Sequence, residues 1–527
     1  MLKNGKIWIA INKDAEDVYM LPGKATNHGL IAGGEGTGKT VTMKVLAESF
    51  SELGVPVFMS DVKGDLAGLM AAGTDSADMQ ARIQRFGLNE CGFAYEGFPV
   101  TLWDAFGKRG IPMRSTISEM GPILLGYLLD LNELQRNILS IAFRIADENS
   151  LLLVDTKDLK ALLNYVSTNA KEFEAEYGKI SAASVSAIVR SIVALEGEGG
   201  ELFFSDPALN VQDFLTIGMG GKGMINLLDA QGLVGNARLY GAYMLWLLSE
   251  LYEMLPEVGE VSKPKMAFFF DDAQIMFGQL PSWMLEKVVQ ILKAIGNKGV
   301  AVFFSTKLPK DIPADVLALL GNKIQHGLSA YTPAEQKAAK SAADAFRANP
   351  EFKTLDIILA LEAGEAVASF IDENGAPAMC DKVTVLPPKS RIGAVADLER
   401  ERSIKESLAY SRYANAVDPD SAYEFLQRKG LADAEAAEAA KAKAAEEKEA
   451  AKAAEKEAKE AEKKSASNKK AVKSAAKSVS SSVAGTIGRE AGKALGSSFG
   501  SFGKTLGGNV GAALGRGIIG TLFGLKK

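Results

Sequence analysis

Residues 29–42 read GLIAGGEGTGKTVT, and the rest of the chain is best understood outward from them. Gly29–Ala32 is a short run fit for a buried strand. Gly33-Gly34-Glu35-Gly36-Thr37-Gly38-Lys39-Thr40 is a full match to the phosphate-loop pattern GxxxxGK[ST]. The glycines let the backbone curl until its N–H groups point inward at a phosphate. A helix opening at Val41 and running to about Ser51 aims its positive end at the same place. Lys39 supplies a charge for the β- and γ-phosphates, and the Thr40 hydroxyl is a ligand for Mg²⁺. Strand, loop and helix in this order predict that residues Gly33 to Val41 bind a nucleotide.

A phosphate loop needs an acid at the end of a second buried strand. Met266-Ala267-Phe268-Phe269-Phe270 followed by Asp271-Asp272 provides it. Asp271 is the expected Mg²⁺ ligand, and Asp272 the carboxylate that orients or deprotonates the attacking water. The strand Val300–Ser305 leads into Thr306-Lys307. Lys307 has two readings of equal standing, a γ-phosphate contact and a surface lysine at a strand end. Ser60-Asp61-Val62-Lys63-Gly64-Asp65 follows another strand and places charges beside the phosphate loop in a doubly wound sheet. His28 and His326 read better as satisfied structural histidines than as nucleotide contacts.

The surrounding sequence sets the architecture. Hydrophobic residues make up 47% of 527, enough for a large core, and length alone suggests three or four domains. Strand candidates Gly29–Ala32, Val55–Ser60, Gly223–Leu228, Met266–Phe270, Val300–Ser305 and Ala366–Ile371 alternate with amphipathic stretches, which predicts an α/β fold with a mainly parallel sheet. We divide the chain into a phosphate-loop half (1–113), an α-helical insertion (114–210), an acid-bearing half (211–395) and a helical extension (396–430). A charged Ala/Lys/Glu helix or linker (431–480) and a Gly-rich tail (481–527) complete it. In the tail Gly488, Gly492, Gly496, Gly500, Gly503, Gly507, Gly511 and Gly515 share one helical stripe. It reads as a flexible segment, with a packing or membrane-surface helix as the alternative.

Charge and cysteine content exclude several classes. The net charge is −5, and residues 481–527 hold four lysines, two arginines and one glutamate, so the preceding 480 carry −10. A polyanion-binding surface on the main body must be a local patch. Two cysteines and two histidines build neither a zinc site nor a disulfide framework, as expected of a reduced, cytoplasmic chain. No apolar run reaches the roughly 18 residues of a membrane span.

The motif series is familiar. Asn27–Thr42 (NHGLIAGGEGTGKTVT), Ser60–Leu69 (SDVKGDLAGL), Ile117–Pro122 (ISEMGP), Phe268–Gln274 (FFFDDAQ), Asp311–His326 (DIPADVLALLGNKIQH) and Val385–Gly393 (VLPPKSRIG) resemble the bacterial HerA-like helicase family, in its YjgR-like branch. The resemblance covers about residues 5–395. It implies a RecA-like P-loop ATPase core of the HerA–FtsK superfamily, ATP with Mg²⁺ as ligand, and a hexameric ring moving double-stranded DNA. Lys39 and Thr40 take the Walker A positions, Asp271 the Walker B acid and Asp272 the catalytic carboxylate.

The chain also departs from the family pattern. The family has FDEAH where Phe270-Asp271-Asp272-Ala273-Gln274 stands, glutamine at Lys307, and arginine at Gly296 and Ser329. With only 32 residues ahead of the loop, the N-terminal β-barrel of the ring helicases is expected to be missing. Two functions follow, a DNA motor and a slow ATP-binding switch whose C-terminal region engages a protein or membrane surface.

Overall fold

The computed structural model describes residues 1–466. The end of the charged stretch and the whole Gly-rich tail lie outside the described residues. Within them the strands are β1 (Leu2–Lys3), β2 (Lys6–Asn12), β3 (Asp17–Met20), β4 (Gly29–Ala32), β5 (Val57–Asp61), β6 (Val100–Asp104) and β7 (Ile111–Pro112). They continue as β8 (Ile225–Asp229), β9 (Met266–Phe270), β10 (Val300–Thr306), β11 (Asn322–His326), β12 (Glu365–Ser369) and β13 (Asp381–Val385).

All lie in one sheet, ordered β1-β2-β13-β12-β11-β4-β10-β9-β5-β8-β6-β7, with β3 paired to β2. From β11 to β7 the pairings are parallel. From β11 outward through β12, β13, β2, β1 and β3 they are antiparallel. The sheet is thus mixed but mostly parallel, a RecA-like arrangement. The strand expected at Ala366–Ile371 belongs to the antiparallel wing and is shifted to Glu365–Ser369. Residues 2–20, ahead of the phosphate loop, form an antiparallel edge that reaches the sheet through β13.

The strands in the middle are apolar on both faces because each face carries a core. Leu30, Ala32, Phe268, Phe270, Val302 and Phe304 enter one apolar cluster. Their alternating neighbours Ile31, Phe269, Ala301 and Phe303 enter the other. Stacked pairs Phe269–Phe303 and Phe270–Phe304, each with centroids 4.9 Å apart, run on the two faces. The helix after the phosphate loop, α1 (Lys39–Glu52), covers the second face, with Phe50 against both Phe269 and Phe303.

The other face is covered by the helical interval between β7 and β8, together with Ala237–Met254. That interval contains helices Ile117–Leu128, Glu133–Glu148, Thr156–Thr168 and Ala182–Gly197. Capping boxes at Thr116/Glu119, Asn132/Gln135 and Asp155/Asp158 start three of them. Their apolar residues join the same cluster as the sheet. Among the described residues no single helix is long and apolar enough to cross a membrane.

The C-terminal region returns across the molecule. Short helices Asp397–Glu406 and Leu408–Tyr413 precede one continuous 45-residue helix, Ala422–Ala466. It runs through residue 430, where we placed a division, because alanine, glutamate and lysine propagate a helix and one glycine costs only about 1 kcal/mol. Its start is anchored. Asp158 accepts the Ser421 hydroxyl at 2.6 Å and the Tyr423 amide at 2.8 Å, and Lys157 reaches Asp418 and Glu424.

Candidate nucleotide-binding site

The phosphate loop leaves β4 between β10 and β11 and is fixed from both sides. Gly33 donates its N–H to the Thr306 carbonyl at 3.2 Å, and Gly34 donates to the Gly327 carbonyl at 2.9 Å. Thr37 closes the turn by donating to the Gly34 carbonyl at 2.8 Å. Gly38, with φ +118°, makes the step into α1, and a Cβ there would lie 3.3 Å from the Gly364 amide. Glu35 and Gly36 are exposed at the loop tip, while Thr37, Thr40 and Val41 are half-buried.

Lys39 is buried and donates to the Gly33 and Gly34 carbonyls, at 2.8 Å each. Its ammonium therefore already lies inside the loop it is expected to serve. Burial first, then the neighbouring Lys63 charge, pulls the Lys39 pKa below its ordinary value, and Asp272 and Asp271 oppose this.

Four parallel strands end in an aspartate at the same edge of the sheet: Asp61, Asp104, Asp229 and, just past β9, Asp271. Three have their oxygens occupied. Asp61 accepts the amides of Gly64 and Leu66 at 2.7 and 3.0 Å. Asp104 accepts those of Phe106, Lys108 and Arg109. Asp229 holds Arg109 at 2.9 Å and the buried Arg400 at 3.1 Å.

Asp271 differs. Its Oδ1 accepts the Asp272 amide at 3.0 Å, but its buried Oδ2 has no hydrogen-bond partner. Burial, then Asp272 and Asp61, pushes its pKa up to about 7. An orphaned carboxylate oxygen in an acidic, desolvated setting fits a divalent cation, which would relieve both costs. Asp271 is thus suited to hold Mg²⁺, with half-buried Thr40 at the start of α1 the expected second ligand, and the metal would supply charge to neutralise phosphate. Behind Asp271, its amide donates to Ser60 Oγ at 3.1 Å, and Ser60 bonds the Tyr240 hydroxyl at 2.9 Å.

Asp272 has φ +46°, in the left-handed region that a side chain adopts only when neighbours hold it there. Its Oδ2 faces Lys63 Nζ at 3.6 Å, and its Oδ1 accepts the Gln274 side-chain amide at 3.1 Å. The Lys63 loop is shaped by Gly64, at φ +82°, where a Cβ would lie 1.7 Å from the Gln231 side-chain nitrogen. Burial alone would lower the Lys63 pKa. The carboxylates of Asp272, Asp271, Glu35 and Asp65 outweigh it and raise it.

Lys307 is exposed, and its charge helps to hold the Glu335 carboxyl low, after Thr332 as the main cause. The residue before it, Thr306, is the one turned into the site, where it donates to the Gln274 side-chain oxygen at 3.1 Å. Gln274 stands out in the sequence as a departure from the family pattern and Thr306 as the neighbour of Lys307, but neither carries a role there. Tyr240, inside a long apolar helix, carries no local signal at all.

Both histidines brace the fold. Val302 donates its amide to His28 Nδ1 at 3.2 Å, so the proton sits on Nε2, which donates to the Leu292 carbonyl at 2.8 Å. His326 donates through Nδ1 to the Glu365 carbonyl at 2.9 Å and accepts the Thr42 hydroxyl on Nε2 at 2.9 Å. The Lys389-Ser390-Arg391 segment also serves α1. Buried Glu48 accepts the amides of Lys389 and Ser390 and the Ser390 hydroxyl, and Lys44 donates to the Arg391 carbonyl.

This phosphate loop and strand-end acid on a RecA-like sheet define a P-loop ATPase. Residues 8–506 match the model of the family described as Helicase HerA-like C-terminal, and the chain belongs to that family. No curated protein matches it. Among solved structures, the plasmid coupling protein TrwB with a non-hydrolysable ATP analogue is similar at 13% identity and TM-score 0.51, over 75% of this chain and 92% of that one. VirB4 of Thermoanaerobacter pseudethanolicus is similar at 13% identity and TM-score 0.46, over 73% and 97%.

Proposed function

We propose that this protein hydrolyses ATP with Mg²⁺ and uses the cycle to move double-stranded DNA as a cytoplasmic homo-oligomeric ring, a hexamer by family resemblance. One observation carries the ATPase reading: among four strand-end aspartates, the one beside the Asp272 carboxylate and the Lys63 charge keeps a buried, unpartnered oxygen. In this reading the Lys39 ammonium leaves the Gly33 and Gly34 carbonyls for the β- and γ-phosphates. Thr40 and Asp271 hold the metal. Asp272 orients a water and accepts its proton through Oδ2, once phosphate charge draws Lys63 away. The DNA substrate is supported by membership of the family described as Helicase HerA-like C-terminal.

A second reading is favoured by one feature. Both oxygens of Asp272 are engaged, and its side chain is one methylene shorter than glutamate, which suits slow turnover in an ATP-dependent switch acting on a protein or membrane surface. ATP turnover with and without duplex DNA, beside Lys39→Ala and Asp272→Asn, separates the two. The motor predicts DNA-stimulated hydrolysis that both variants abolish, and ring particles with a non-hydrolysable nucleotide. Hydrolysis unmoved by DNA at any salt would leave the switch.

A further inference from the structure

Thr306 ends β10, the strand that lies between the phosphate-loop strand β4 and the acid-bearing strand β9. Its backbone carbonyl accepts the N–H of Gly33, the first residue of the phosphate loop, at 3.2 Å. Its fully buried side-chain hydroxyl donates to the Gln274 Oε1 atom at 3.1 Å. The other half of the same amide, Nε2, donates to Asp272 Oδ1 at 3.1 Å. The amide orientation is not free. Turned over, it would set an oxygen against the Asp272 carboxylate; the Thr306 hydroxyl, which also lies 3.3 Å from the Leu308 carbonyl, could serve either half of the amide, so it is the carboxylate that fixes the orientation.

Two further contacts close the circuit. Ala273 donates its amide to the Ser305 carbonyl at 2.8 Å, so the Asp272 turn is tied to β10 by backbone as well. Gln274 takes only Oδ1, which leaves Oδ2 as the oxygen turned toward Lys63. A carboxylate on a left-handed residue, with a short side chain, needs such an external hold to keep one oxygen aimed.

We infer that Gln274 is a positioning residue that, with Thr306, couples the phosphate loop to the Asp272 carboxylate. A shift of Gly33 on phosphate binding moves Thr306, and the Gln274 amide carries that shift through Oδ1 to the carboxylate whose other oxygen, Oδ2, faces the attacking water. The inference rests on the ATPase reading above. Lys307, one residue further on, takes no part in it.

The test uses the full chain and four variants: Gln274→Leu, Gln274→His, Thr306→Val and the double Gln274→Leu/Thr306→Val. Each is checked for folding by thermal unfolding and for ADP affinity by calorimetry. Expected is a fall in kcat of about tenfold or more for Gln274→Leu, with KM for MgATP and ADP affinity within about twofold of the parent. Gln274→His, which keeps a donor and an acceptor, restores kcat to within about threefold. Thr306→Val falls similarly, and the double variant is no worse than the lower single, as expected of two links in one chain.

Several results would overturn the inference. Lys39-dependent turnover that Gln274→Leu leaves unchanged removes the relay and spares the ATPase. So does an additive double variant, or a loss that appears in KM and ADP affinity instead of kcat. If Gln274→Leu does not fold, Thr306→Val decides alone by the same kcat-against-KM split. A parent protein without Lys39-dependent turnover ends both readings together.

Discussion

Asp271 and Asp229 are the same residue type at the same edge of the same sheet, yet their surroundings assign them opposite tasks. Asp229 is satisfied by two guanidinium groups, so Asp229→Asn leaves the buried Arg400 without a full counter-charge and costs about 3 kcal/mol in urea unfolding. Asp271→Asn removes an oxygen that no protein group uses. It also removes a buried charge that Asp272 and Asp61 repel, so it is expected to raise stability at neutral pH and above, while turnover loses its response to Mg²⁺, measured by a metal titration of the ATPase rate. The histidines give a pH signature. Burial, as the main cause, holds both imidazoles down to about 4, so each stays neutral in the folded protein where an exposed ring would charge. The unfolded chain binds the extra protons, and stability is therefore lost as pH falls from 6.5 through about 4. In NMR neither ring should titrate above about pH 5, and a midpoint near 6.5 in either would contradict its hydrogen bonds.

Among the elements, the long C-terminal helix shows how little of it the fold needs to hold. Only its first turns touch the body, through Asp158, which also accepts the Val154 amide at 2.8 Å. Beyond residue 430 the helix side chains that are described are exposed. Asp158→Ala orphans several buried donors at once and is expected to cost about 3 kcal/mol. Limited proteolysis should then cut between residues 414 and 421 well before the sheet unfolds. Loss of the sheet at the same protease dose would show that the strap and the core are one cooperative unit.

At the scale of the whole molecule, residues 397–424 link the ends of β6 and β8 to the helical interval between β7 and β8. Arg400, 4% exposed, holds Asp229 at the end of β8 and the Arg109 carbonyl, while Arg114 donates to the Tyr413 carbonyl and Ser421 reaches Asp158. The long C-terminal helix is thereby tied, through residues 397–413, to the ends of β6 and β8. Arg400→Leu is expected to loosen that tie. Its measurable effect is hydrogen exchange that rises most at residues 397–413, with a clearly smaller rise in the buried strands β4, β9 and β10. Equal acceleration everywhere would mean that the segment stabilises the whole fold instead.

The phosphate loop, the place of Asp271 at a strand end and most of the parallel strands are legible in the sequence alone. Their signals are local: a glycine pattern, a run of five apolar residues before two carboxylates, a period of hydrophobicity. Strands such as β11 (NKIQH) were illegible because their pairing partners lie far along the chain and their own residues are partly polar. Only the tertiary structure decided which strand-end aspartate keeps an empty oxygen, and that Thr306 rather than Lys307 faces the site. Both depend on which side chains and amides converge after folding, and that proximity is set by sheet order, which no short stretch of chain encodes.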